Sequence, residues 1–299
     1  MAYTKQLTAV PKGPLVDVAW VQRNLLARQL RLIDLRWYLQ GPKGSEVFLQ
    51  GHLPRARFVD LERDITSPVG PGRHPIPSPA QLTRAMRAAG VCRDSAVVVY
   101  DDAGGSVAAR LWWLLRQHGH TKVRVLDGGI PQWLASGALL EPGPGPAVEP
   151  GDWTARLKWI RSVDKHFVQR NLEKKECLFV DARVPARFRG EVEPVDARPG
   201  HLPGAINAPW TDNLVDGRFA DSVTLAARFK ALGVYRRPWV VSYCGSGVTA
   251  CHNILALERA GHQGAVFLYE GSWSDWARDP DRSAELGDAR PRVGKRKAT

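Results

Sequence analysis

Cysteine is scarce in this chain, with only Cys92, Cys177, Cys244 and Cys251 among 299 residues. None of the four pairs at metal-ligand spacing, and four are too few for a dense disulfide framework, so a zinc module and a stapled secreted scaffold are both excluded. Long apolar runs are missing too. None approaches the ~18 residues a membrane-spanning helix needs, and residues 1–13 hold no hydrophobic signal region. The expectation is a protein of the reducing cytoplasm. Acid is the third shortage, since 30 Asp and Glu face 42 Lys and Arg for a formal net charge of +12. Apart from a basic tail at Arg290, Arg292, Lys295, Arg296 and Lys297, the arginines are scattered among acids and form no nucleic-acid motif. That pattern argues against a nucleic-acid partner and for attraction of a small anionic substrate.

What the chain does have is enough apolar material for two cores, 44% hydrophobic with 11 Trp, and an internal duplication. Val16-Asp17 and Val21-Gln22-Arg23-Asn24-Leu25 recur as Val163-Asp164 and Val168-Gln169-Arg170-Asn171-Leu172. Ile33-Asp34-Leu35-Arg36 recurs as Val180-Asp181-Ala182-Arg183, and Gly51-His52-Leu53-Pro54 as Gly200-His201-Leu202-Pro203. Val98-Val99-Tyr100 matches Val241-Ser242-Tyr243, and Asp127-Gly128-Gly129 with Trp133 matches Glu270-Gly271-Ser272 with Trp276. Landmarks recurring in one order mean two copies of one domain. The division falls at residues 1–140, a Pro/Gly linker at 141–155, a second domain at 156–286, and the basic tail, expected to be disordered, at 287–299. Within each half short apolar strands (Ala96 to Tyr100, Val123 to Leu126) alternate with helical patterns (Ala80 to Ala89, Ala108 to Gln117), the signature of an α/β domain with a mainly parallel sheet.

The chemistry concentrates at Cys244-Gly245-Ser246-Gly247-Val248-Thr249. Trp239 to Tyr243 before it reads as a buried strand, and Thr249 to Glu258 after it as a helix ending near Gly261. A cysteine at a strand end, followed by a glycine-rich loop that enters a helix, sits among inward-turned amides at a helix's positive end. That surrounding favours a nucleophilic thiolate over a thiol of reference pKa about 8.5. A cysteine serving only to pack needs no Gly-Ser-Gly behind it. The counterpart of Cys244 in the first half is Asp101, so one half kept the nucleophile and the other became scaffold. His52 and His201 recur in both halves and therefore read as turn-forming residues, and Trp133, Trp273 and Trp276 as packing.

The run from Cys244 to Cys251 resembles the active-site loop of the rhodanese superfamily, most closely that of its mercaptopyruvate sulfurtransferases, and the likeness extends over nearly the whole chain. It implies an α/β protein of two tandem rhodanese-like domains, each a mainly parallel sheet flanked by helices, with the catalytic cysteine in the second. It implies sulfur transfer through a Cys244 persulfide from 3-mercaptopyruvate, or alternatively thiosulfate, to thioredoxin, another small thiol or cyanide. A non-catalytic sulfur- or partner-binding module is the rival, and Cys244 itself argues against it. Neither a metal nor an organic cofactor is implied. Phosphatases with a related loop need an arginine where this chain has Ala250, and the loop is one residue short for a phosphate. By resemblance the amides of Gly245, Ser246, Gly247, Val248 and Thr249 bind substrate, and Arg187 binds the donor's anionic group through a bidentate guanidinium. The family's second substrate arginine is absent, since Glu193-Pro194 is followed by Val195, with Arg198 a candidate replacement. Ser246 implies a relay with His74 and an acid at Glu62, with Asp60 and Asp64 as alternatives. Thiosulfate enzymes usually carry two cations where this loop has Gly245 and Ser246, so mercaptopyruvate is the expected donor.

Overall fold

The computed structural model describes residues 6–174 and 176–288. The basic tail beyond residue 288 lies outside the described residues. The first half builds a sheet from β1 (Leu15–Val16), β2 (Leu30–Asp34), β3 (Arg57–Phe58), β4 (Ala96–Tyr100) and β5 (Val123–Leu126) in the order β1-β5-β4-β2-β3. In the second half β6 (Ser162–Val163), β7 (Cys177–Asp181) and β8 (Ile206–Asn207) are followed by a small antiparallel pair, β9 (Leu214–Val215) with β10 (Arg218–Phe219). The half is completed by β11 (Trp239–Tyr243) and β12 (Ala265–Tyr269), and its sheet runs β6-β12-β11-β7-β8. All pairings within both five-stranded sheets are parallel. The duplication in sequence is thus a duplication in topology, strand for strand.

Central strands of such sheets are covered on both faces and so read as continuous apolar runs; every residue of β4 and β7 is buried. Alternate residues then enter different cores. Val98 and Tyr100 join a cluster belonging to the first half, with Trp20, Phe48 and Trp133. Val241 and Tyr243 join its equivalent in the second half, with Phe188, Trp273 and Trp276. Val97, Val99 and Val240 instead face one cluster shared by both halves. At its centre the Ala108–Gln117 helix packs against the Ala250–Arg259 helix. Apart from Arg116, every residue of that first helix is buried, which explains its near-continuous apolar sequence. The halves are therefore joined through core.

Residues 142–161 contain no helix or strand. They are strapped to the first half rather than free. The Trp153 N–H donates to the Val91 carbonyl at 3.2 Å, and Arg87 Nε donates to the Trp153 carbonyl at 2.9 Å. A Cβ at Gly151 would lie 1.9 Å from the Val91 oxygen, so only glycine lets the strap lie down.

Candidate active site

Cys244 follows β11 directly, at the carboxyl end of its sheet, where open α/β folds bind ligands. Its side chain is 2% exposed, and the Gly247 N–H donates to its Sγ at 3.1 Å. The loop holds this shape because the turn after β12 ties it down. The Trp273 and Ser274 N–H groups donate to the Cys244 and Gly245 carbonyls at 2.9 and 2.8 Å, and Ser272 Oγ accepts from the Cys244 N–H at 3.2 Å. Gly247 takes φ +81°, and a Cβ there would stand 2.7 Å from the Glu270 carbonyl oxygen. Glycine is required on both counts. With carbonyls tied from behind, the loop leads into the N-terminus of the Ala250–Arg259 helix, whose positive end favours a negative sulfur at Cys244.

The cleft in front of Cys244 has a volume of about 430 Å³ and is lined from both halves, by Trp37, Tyr38 and Arg73 of the first and Arg187, Trp210 and Ser246 of the second. A larger cavity of about 720 Å³, beside Phe188 and Arg236, shares no lining residue with it. Arg187 lies on the short Pro185–Arg189 helix and reaches Glu193 at 2.6 Å and Asp196 at 2.9 Å. Burial pushes the Glu193 carboxyl up, but the Asp196 amide and Arg187 outweigh it and hold it below its ordinary value. Arg187 is thereby aimed by two carboxylates rather than left loose on the surface.

His74 and Ser246 come together across the cleft, with His74 Nδ1 2.7 Å from Ser246 Oγ. On its other side His74 Nε2 faces Glu62 Oε1 at 3.8 Å, longer than a hydrogen bond. Trp37 Nε1 donates to the same Glu62 oxygen at 3.2 Å while its ring meets His74 edge-on. The two alternatives are occupied elsewhere. Asp60 caps its own helix at Glu62 N and Arg63 N, and Asp64 pairs with Arg63. Burial first, then Arg110 and Arg73, lowers His74 to about 3, so the imidazole is neutral at pH 7.

One expectation changes. Arg198 does not reach the cleft; its Nη2 donates to the carbonyls of Asp279 and Arg282 at 3.0 and 2.6 Å and its guanidinium covers Trp273. Asp101, the counterpart of Cys244, is fully enclosed and accepts from the N–H groups of Ala103, Gly105, Val107 and Ala108. His252 reaches the first half, with Nε2 3.1 Å from the Gly104 carbonyl oxygen. Among the described residues no three His, Cys, Asp or Glu side chains cluster as a metal site. Two arginines of the first half escaped notice. Arg73 borders Gly245, and the wholly buried Arg110 donates to the Gly247 carbonyl at 3.2 Å and the His74 carbonyl at 2.9 Å. Arg73 stands beside the singled-out His74, but nothing in the sequence marks Arg110, which lies amid a helix that reads as core.

These features define a duplicated α/β fold with one cysteine loop facing an interdomain cleft, and the model of the rhodanese-like domain matches the chain at residues 17–136 and again at 164–279. The chain belongs to the rhodanese family. Among its relatives is a Pseudomonas aeruginosa protein named for 3-mercaptopyruvate sulfur transfer, 45% identical over 87% of this chain and 93% of its own. SseB of Mycobacterium tuberculosis, whose name assigns it thiosulfate, is 42% identical over 86% of this chain and 91% of its own. The crystal structure of the 3-mercaptopyruvate sulfurtransferase SseA from Escherichia coli superposes with a TM-score of 0.79 at 32% identity, covering 88% of this chain and 100% of that one.

Proposed function

We propose that this protein transfers sulfane sulfur from 3-mercaptopyruvate to a thiol or cyanide through a persulfide on Cys244. The observation that supports the reading is that Cys244, Arg187 and Ser246 line one cleft, with His74 Nδ1 2.7 Å from Ser246 Oγ behind it. Arg187 receives the donor carboxylate. The Cys244 thiolate attacks the donor sulfur, the donor's carbon–sulfur bond breaks, and its electrons leave with the pyruvate enolate. Neutral His74, its Nε2–H toward Glu62, accepts the Ser246 hydroxyl proton at Nδ1, so the pair takes up the donor's thiol proton and returns it to the enolate carbon. The outer sulfur is held by the loop amides from Gly245 to Thr249. An acceptor thiolate, as of a small thiol or thioredoxin, or cyanide then attacks that sulfur and Cys244 leaves as thiolate; no oxidant is consumed. All four cysteines are free, and no helix among the described residues is long and apolar enough to cross a membrane, which suits work in a reducing cytoplasm.

Thiosulfate is the second reading. It is favoured by one observation: guanidinium groups of Arg73 and Arg187 flank Gly245, supplying the cations that the loop's own side chains lack. Incubation with each donor followed by intact-mass measurement should show one added sulfur atom on the parent and none on Cys244→Ser. Steady-state kinetics side by side should give 3-mercaptopyruvate the higher kcat/KM. A higher value for thiosulfate would reverse the donor assignment while leaving the persulfide chemistry intact.

A further inference from the structure

The family's second substrate arginine has become Val195, yet the cleft is not short of a cation. Arg73 enters it from the opposite domain. A Cβ on Gly245 would lie 2.7 Å from Arg73 Nη2 and 3.4 Å from Arg187 Nη1, so the two guanidinium groups converge over the residue next to the nucleophile. The loop carrying Arg73 is seated firmly on the second half. Its N–H donates to Ser274 Oγ at 3.1 Å, and a Cβ on Gly72, at φ +75°, would lie 2.4 Å from the Gly271 carbonyl oxygen.

The charge at Arg73 is also the less satisfied of the two. Arg187 makes ion pairs at 2.6 and 2.9 Å and leaves only its Nε buried without a hydrogen-bond partner, whereas Arg73 reaches Asp196 at 3.5 Å and leaves both Nε and Nη1 so. The side chain is partly exposed, at 22%, but these two nitrogens are shielded from water, so a guanidinium with donors to spare beside a cleft is placed to take an anion. Asp196 touches both arginines and so sets their separation.

We propose that Arg73 is the second donor-binding cation, a specificity-determining residue supplied by the domain without the nucleophile and standing in for the arginine lost at Val195. The donor's anionic group is clamped between Arg187 and Arg73, with its sulfur directed at Cys244. Donor binding then spans the two domains, giving the first half a part in recognition as well as in scaffold.

The assignment rests on the sulfurtransferase reading, and the test separates the two. Parent, Arg73→Gln and Arg73→Lys are assayed with 3-mercaptopyruvate and with thiosulfate, using cyanide as acceptor, and pyruvate is titrated as a competitive probe of the donor site. Arg73→Gln should raise the donor KM and the pyruvate inhibition constant about 10- to 100-fold, the loss expected for a charged hydrogen bond. The KM for cyanide should stay unchanged. Arg73→Lys should recover part of the loss, keeping the charge without the fork; if the Gln variant does not fold, the smaller rise in Arg73→Lys carries the test. An unmoved donor KM, whatever happens to kcat, overturns the assignment of Arg73 alone. A parent enzyme that neither donor modifies at Cys244 overturns the sulfurtransferase reading itself.

Discussion

The two halves of this molecule share a frame and differ in what occupies its loop. Asp34 and Arg36 form a buried ion pair at 2.7 Å whose guanidinium donates to the Gly51 carbonyl, and Asp181 and Arg183 repeat it at 2.7 Å, donating to Gly200. Tyr100 Oη and Tyr243 Oη each accept from a leucine N–H, at Leu53 and Leu202, both at 3.1 Å. His52 and His201 stack on Phe48 and Phe188 and bond to their carbonyls. Against this sameness the strand-end loops diverge. In the first half the Asp101 carboxylate accepts from four loop amides, whereas in the second Cys244 Sγ accepts from Gly247. Both loops are anion cradles. One is filled by its own Asp101 side chain and so braces the fold; in the other a loop amide reaches the sulfur of Cys244.

The sharpest way to break this comparison is to move the nucleophile. Cys244→Ser should lower turnover by roughly four orders of magnitude or more, as expected for loss of a covalent nucleophile. Adding Asp101→Cys should restore none of it, because the first-half loop is covered. A Cβ on Gly104 would touch Leu214, one on Gly105 would touch Phe219, and both neighbours belong to the second half. Intact-mass measurement after donor treatment reads the outcome directly. A persulfide at position 101 would mean that the cradle alone defines the active site, and the cleft adds nothing. Cys251→Ser should keep activity, since burial pushes that thiol up to about 12 and leaves it protonated.

A smaller effect tests the cations. The first-half residue in register with Arg187 is Gln40, which is exposed and also borders the cleft. Arg187→Ala should lower kcat/KM for donor by about one to two orders of magnitude, the worth of a charged hydrogen bond. Gln40→Ala should change it far less. Steady-state kinetics showing the two variants equally impaired would mean that the cleft wall, not the guanidinium, sets donor binding.

Much of this was legible in the sequence because duplication is a pattern in the chain itself. The α/β class, the two domains and the strand-loop-helix around Cys244 follow from apolar runs and glycines that are contiguous. The Ser246–His74 approach was reached by resemblance, and the preference for Glu62 over Asp60 and Asp64 needed the helix cap and the Arg63 pair to be seen. What stayed hidden was whatever depends on one half leaning on the other. Arg198 lies nearer Val195 in sequence than Arg73 does, yet its guanidinium is consumed by two carbonyls while Arg73 crosses the cleft. Asp101 is legible as the counterpart of Cys244, but the four amides it accepts from are seen only in the folded loop.

The smallest effect concerns how the halves stay together as acid is added. His74, His120 and His252 are buried where the domains or the linker meet. His74 approaches Ser246, His120 stacks on Trp153, and His252 stacks on Phe219 with Nε2 at the Gly104 carbonyl. Burial lowers them to about 3, 4 and 3 respectively, against 6.5 for a free imidazole. A histidine with a depressed folded-state pKa binds its proton in the unfolded chain first. Its stabilisation is therefore complete above 6.5 and is lost progressively as the pH falls toward 3 to 4. At pH 5 each such group should have cost about 2 kcal/mol, at 1.36 kcal/mol per unit of pH below 6.5. Urea midpoints measured at pH 7 and pH 5 should differ accordingly in the parent. His252→Gln, which cannot protonate, should be less stable at pH 7 but lose less on acidification. Equal losses in the two proteins would show that His252 is protonated within the fold, and that its contact with the first half survives the charge.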